Sequence, residues 1–185
     1  MRIRICQPWT PMRWLLTAIA LTACIVANSD AQTRFEVERA GATGAPGIIL
    51  IPGLGTPGEV WADAVAELGD SVDAHIITAA GFGDVPPAGE GAFLVPLVEA
   101  LAEYIDAESL SDLTIVGHSL GGQVALQLAA SRPERVSHIV IVDSAPFFAR
   151  LFNPAATPEQ AAQYGQMMAG QLAGMPREQY LATTR

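Results

Sequence analysis

Gly117-His118-Ser119-Leu120-Gly121 matches the pattern G-x-S-x-G, and it lies between an apolar run, Leu113 to Val116, and a helical pattern, Leu120 to Ala130. In that setting a serine sits on a tight, strained turn from strand to helix, with its hydroxyl raised to attack an acyl carbon. Side chains two positions to either side would collide with the neighbouring strand and helix, which accounts for glycine at 117 and 121. Ser119 also opens the helix. The free N–H of Leu120 and the positive end of the helix dipole therefore point to where an oxyanion would form. A second donor is expected from the turn after the first strand, Pro52-Gly53-Leu54-Gly55, and the N–H of Leu54 is the candidate.

A serine hydroxyl is a poor nucleophile at neutral pH unless a base lies within hydrogen-bond reach. The chain offers three histidines, His75, His118 and His138. His118 adjoins Ser119, but its side chain is expected to point away from the face where the hydroxyl projects. His75 and His138 fall inside strand-like runs, where a packed or edge histidine is the commoner outcome. Other chemistries find less support. No histidine and carboxylate cluster has metal-ligand spacing, and Gly117 to Gly122 lacks both a P-loop lysine and the G-x-G-x-x-G order, so neither metal nor cofactor is expected.

The elements that must hold Ser119 read as alternating strands and helices, the pattern of a mostly parallel sheet flanked by helices. Gly47 to Ile51 is continuously apolar and closes on Pro52-Gly53, as a strand buried on both faces does. Pro57 to Leu68 reads as a helix ending at Gly69, and Val72 to Thr78 as a strand. Gly91 to Ala107 is helical in pattern, with Leu94, Leu97, Val98, Leu101 and Ile105 on one face. Val136 to Val142 is a strongly β-branched strand. From Ser144 the alternation stops, and Thr157 to Met168 and Pro176 to Leu181 read as helices with polar faces.

Ile51 to Gly55, the Gly81-Phe82-Gly83 loop, Gly117 to Gly122 and Val140-Ile141-Val142-Asp143 together resemble the α/β-hydrolase superfamily, over about residues 35 to 185. Where the superfamily often carries His-Gly in the oxyanion loop, this chain has Pro52-Gly53. The resemblance implies a serine hydrolase acting on an ester or related acyl bond through an acyl-enzyme intermediate, with a small-molecule acyl substrate. The alternative is a non-catalytic binding protein of the same fold. The superfamily draws its base from a loop after the last strand, and no residue here corresponds to it. The chain is therefore expected to be an N-terminal part, inactive as it stands, with the base and the usual acid beyond Arg185. Asp143, at the carboxyl end of its strand, is a position that some members use for the acid. Residues 32–143 would be the N-terminal part of the core and 144–185 the start of a helical cap. In that cap Phe147, Phe148, Leu151, Phe152, Met167 and Met168 either line an apolar acyl pocket or form ordinary cap core.

The first 31 residues read as an address. Arginines at 2, 4 and 13 precede an apolar run, Trp14 to Ala27, that ends near Ser29-Asp30-Ala31, which is the pattern of a secretory signal peptide. That run is shorter than the roughly 20 residues a spanning helix needs, so no transmembrane anchor is expected. Leu21-Thr22-Ala23-Cys24 also resembles a lipobox, in which case the leader ends at residue 23 and Cys24 carries a lipid anchor. The formal net charge is −9 and the ten cations are all arginine, which leaves no basic patch for phosphates and makes nucleic acid an unexpected partner. The protein is accordingly expected in the periplasm or medium, or on a membrane as a lipoprotein. Mass spectrometry of the mature N-terminus should find it near Gln32 or at a lipidated Cys24, and an uncleaved cytoplasmic chain would exclude both.

Overall fold

The computed structural model describes residues 34–89, 91–147, 149–173, 175, 176 and 179. Five strands form one sheet: β1 Phe35–Gly41, β2 Gly47–Ile51, β3 Asp73–Ala79, β4 Leu113–His118 and β5 Val136–Val142, in the order β1-β3-β2-β4-β5. β1 runs antiparallel to β3, and the other neighbouring pairs are parallel. The helices are α1 Ala62–Leu68, α2 Leu94–Ala107, α3 Leu120–Ser131, α4 Ala149–Phe152 and α5 Pro158–Ala173. This is the expected α/β architecture. No helix among the described residues is long and apolar enough to cross a membrane.

The central strands bury both faces, which is why their sequences are apolar without alternation. On one face Ile49, Ile77, Leu113 and Ile115 pack with Leu97, Leu101 and Ile105 of α2 and Val124 and Leu128 of α3. On the other, Ile48, Leu50, Ala74 and Ile76 meet Trp61 and Val65 at α1. The five residues expected on the inner face of α2 are those that pack there, Leu94 only partly buried. β5 differs: Ile139, Val140 and Val142 are 39%, 46% and 39% exposed at one edge of the described sheet.

Three boundaries depart from the sequence pattern, each for a local reason. The helix expected over residues 57–68 begins with a 3-10 turn, Gly58–Trp61, because Gly58 is pressed against β3: its N–H bonds Thr78 Oγ1 at 2.8 Å, and a Cβ there would lie 2.7 Å from Ile76. α2 starts at Leu94 rather than Gly91, whose φ of +118° is not helical, and Pro96 falls in the first turn, where its missing N–H has no helical partner to lose. α5 runs from Pro158 to Ala173, opened by Thr157 and Gln160, which cap each other's backbone N–H groups. Of the helix expected over residues 176–181 only residues 176 and 179 are described, and the leader lies outside the described residues.

β1 has no counterpart in the sequence reading. Its alternation is weak, with Phe35 buried, Val37 half-buried, and Glu36, Glu38 and Arg39 between and beyond them. A partly buried polar network joins it to the sheet. Arg39 donates to both carboxylate oxygens of Asp73, at 2.8 and 3.0 Å, and Gly44 N–H adds a third bond. His75, fully buried, places Nδ1 2.6 Å from the Tyr104 hydroxyl on α2, while Nε2 has no hydrogen bond and stands 3.8 Å from Asp73.

Burial, helped by the Arg39 charge, depresses the His75 pKa from 6.5 to about 4, against the opposing pull of Asp73. Burial would raise the Asp73 carboxyl, but the Arg39 and Gly44 bonds and the nearby positive charge outweigh it and hold the carboxyl below its usual range. Both groups bind protons more readily when unfolded. The stability from a neutral His75 is therefore complete above pH 6.5 and lost as pH falls towards 4, with Asp73 adding to the loss at lower pH. Urea unfolding of the whole protein should show a decline on the order of 3 kcal/mol over the His75 window. His75→Phe should flatten that decline, and an unchanged slope in the variant would place the proton uptake elsewhere.

Candidate active site

Adjacent parallel strands whose following helices cover opposite faces leave a crevice at their carboxyl ends. β2 and β4 are such a pair, since α1 packs on one face of the sheet and α3 on the other. The Pro52 to Gly55 turn follows β2 and Ser119 follows β4, so the crevice gathers both predicted segments. Asp143 follows β5, next to β4.

The elbow depends on two backbone contacts. A Cβ on Gly117 would lie 2.2 Å from the carbonyl oxygen of Gly121, and one on Gly121 would lie 2.2 Å from the carbonyl oxygen of Ile51. Neither oxygen belongs to a flexible side chain, so only glycine lets β4, α3 and β2 approach this closely. A third glycine takes part: a Cβ on Gly122 would lie 2.6 Å from that of Ser144, just beyond β5. Ser119 itself has φ +50° and ψ −113°, a conformation that a residue with a side chain rarely adopts. Its N–H is fixed by the carbonyl of Val142 at 2.9 Å, and its own carbonyl accepts from Gly122 at 3.0 Å.

The donors expected for an oxyanion stand at this turn. Leu120 is the first residue of α3, so its N–H has no intrahelical partner. Leu54 N–H bonds no acceptor among the described residues, and the Leu54 side chain is largely exposed. The turn abuts Ser119, since a Cβ on Gly53 would be 3.5 Å from Ser119 Cβ. The Leu120 side chain borders a narrow space lined by Phe82, Phe93 and Val124. Asp143 is exposed and also has a positive φ, +46°, so two adjacent strands end in strained residues side by side.

Among the described residues no histidine is hydrogen-bonded to Ser119. His75 belongs to the network at β1, and His138 is exposed on β5 opposite Thr114. The His118 ring packs beside Gly53, where an added Cβ would be 3.0 Å from Nδ1. Beyond the elbow a cavity of about 650 Å³ opens between α3, the 146–156 segment and α5. Of the six apolar residues proposed for a pocket, Phe147 lines it and Met167 is exposed without lining it. Phe148 and the side chains of Leu151, Phe152 and Met168 lie outside the described residues. The pattern reading passed over Gln123 and Gly165, which both line the cavity. Their signals were a polar residue one turn after the serine and a glycine inside a helix.

Residues 48–184 match the alpha/beta hydrolase family. A pimeloyl-acyl-carrier protein methyl ester esterase of Aeromonas hydrophila is 39% identical over 136 residues, which are 73% of this chain and 52% of that protein. One of the same name from Klebsiella pneumoniae is 32% identical over 122 residues, 65% of this chain and 46% of that protein. Among solved structures, a hydrolase from Pseudomonas aeruginosa superposes with a TM-score of 0.64 at 26% identity, covering 81% of this chain and 53% of the other. An esterase from a marine microorganism, at 22% identity and a TM-score of 0.58, shares the fold over 77% of this chain and 52% of its own. The chain thus spans about half the length of the curated relatives it matches.

The glycine contacts can be tested directly. Gly121→Ala drives a methyl group into the backbone of β2 and should cost about 3 kcal/mol or more, seen as a lowered denaturation midpoint of the whole protein. A midpoint equal to that of the parent would show that α3 and β2 are not held in contact at this residue.

Proposed function

The chain belongs to the alpha/beta hydrolase family, and we propose that the protein is a serine hydrolase that cleaves a carboxylic ester through Ser119. The observation that carries this is the backbone of Ser119: a positive φ held between β4 and α3 by glycines that nothing larger could replace. Strain of this kind costs about 1–3 kcal/mol and persists only where the surroundings impose it. What it achieves here is to lift one hydroxyl into the crevice beside two backbone donors. The kinship with proteins named methyl ester esterases favours an ester over other acyl bonds.

In the proposed reaction Ser119 Oγ attacks the ester carbonyl as a histidine base takes the hydroxyl proton. The carbonyl oxygen, now carrying the negative charge, accepts from the N–H groups of Leu54 and Leu120. The carbon–oxygen bond to the alcohol breaks, and the histidine returns the proton to the departing oxygen. Water then attacks the acyl-enzyme by the same path, releasing the acid and restoring Ser119. None of His75, His118 and His138 is assigned as the base. Asp143 is the candidate acid, on the strength of its position at the end of β5 next to the elbow. Residues 1–31 are proposed as an export leader, with Cys24 as the alternative point of lipid attachment.

The test is hydrolysis of 4-nitrophenyl esters by the whole protein and by Ser119→Ala. The variant should lose about 10⁶-fold in kcat while keeping its fold by circular dichroism. Activity retained by Ser119→Ala would remove the serine mechanism, and an inactive parent would favour a binding protein.

A further inference from the structure

The turn after β2 is met from both faces of the sheet. Gly53 O accepts from Thr56 N–H at 3.2 Å and Gly55 has φ +71°, so residues 53–56 form a β-turn with Leu54 at its second position. An N–H at that position takes no part in the turn's own hydrogen bond. On the α3 face the approach of the turn is limited by backbone: a Cβ on Gly121 would lie 2.2 Å from the carbonyl oxygen of Ile51 and 2.7 Å from that of Pro52.

On the opposite face the limit is a side chain. Alternation along β4 sends Ile115 into the cluster under α2 and α3 and Val116 into the one beside α1, so His118, two residues after Val116, shares the α1 face. It is the last residue of β4 and is half-buried. There its ring meets Gly53. A Cβ on that glycine would stand 3.0 Å from Nδ1 and 3.3 Å from Cε1, whereas Ser119 Cβ would be at an ordinary 3.5 Å. Backbone conformation does not demand this glycine, since Gly53 is not among the residues with positive φ. The imidazole demands it.

His118 is also the residue before Ser119, and the Ser119 N–H is tied to the Val142 carbonyl at 2.9 Å. One short, anchored stretch of chain therefore presents the hydroxyl and carries the ring against which the turn rests. Displacing the turn relative to Ser119 means moving that ring.

We propose that His118 is a positioning residue for the reaction: its ring, wedged against Gly53, fixes the place of the Leu54 N–H relative to Ser119. The proposal rests on the assignment of Ser119 as nucleophile and of Leu54 as a donor to the oxyanion. His118 carries no proton in this role. Its shape is what counts, so a flat ring without a titratable nitrogen should serve in its place.

The experiment measures kcat and KM for 4-nitrophenyl acetate on the whole protein, His118→Ala and His118→Phe. Without the ring the turn can drift, and His118→Ala should lose about 10- to 100-fold in kcat with KM within about threefold, because the weakened interaction is made in the transition state. His118→Phe should stay within about threefold of the parent in kcat and keep the inflections of its pH profile. A fall in His118→Phe as deep as that in His118→Ala would overturn the proposal, as would parental kcat in His118→Ala or a loss confined to KM. Gly53→Ala presses on the same contact from the side of the turn and should lower kcat about tenfold or more, so the test does not depend on one variant's folding.

A double-mutant cycle in urea reads the contact without turnover. Gly53→Ala should lower the denaturation midpoint of the parent and lower that of His118→Ala much less, since the space is then free. Additive shifts would show that ring and turn do not bear on each other, whatever the kinetics, while Ser119→Ala separately decides the nucleophile.

Discussion

Three pieces of backbone meet at Gly117 and Gly121 with no room for a single methyl group, and the remainder of the site follows from that contact. Because α3 lies directly against β2 and β4, the turn between β4 and α3 has no slack, and Ser119 is held at a positive φ. The same closeness brings the Gly53-Leu54 turn beside Ser119. A larger residue at either glycine would relax the serine and push the turn after β2 away in one movement.

The sheet supports this contact from both sides in different ways. On the side of β5, the Val142 carbonyl holds Ser119 N–H, and Ser144 packs against Gly122, so the strained residues 119 and 143 share one brace. On the side of β1 the brace is electrostatic. Arg39, Asp73, His75 and Tyr104 link β1 to β3 and α2 through partly buried polar groups, and such groups hold only while their protonation states match. This polar network lies at the β1 edge of the sheet, away from the crevice.

The segment after β5 is tied to the core that carries Ser119. Gln123 joins the two, since it belongs to the elbow helix and its amide anchors Ala145 at the entry to the segment. The cavity is lined mostly by carbon, although Gln123, Asn153, Gln160 and Tyr164 border it.

The sequence by itself determined the α/β architecture, the strand and helix around Ser119, and the serine and glycines of the elbow. These are local features: continuous apolar strands, an inner helical face spaced by three and four, and glycines fixed relative to one serine, all of which pattern and spacing report. β1 was illegible because three of its seven residues are charged and its partner, Asp73, lies 34 residues from Arg39. Val136 to Val142 read as a strand, but only the sheet order placed it at an edge with exposed side chains. Likewise, Gly165 and Gly170 lie in one helix, and only the tertiary structure shows that the first borders the cavity and the second does not. Position along the chain fixes which groups can do chemistry, whereas contacts between segments far apart in sequence decide which of them meet, because those contacts depend on the whole sheet being assembled.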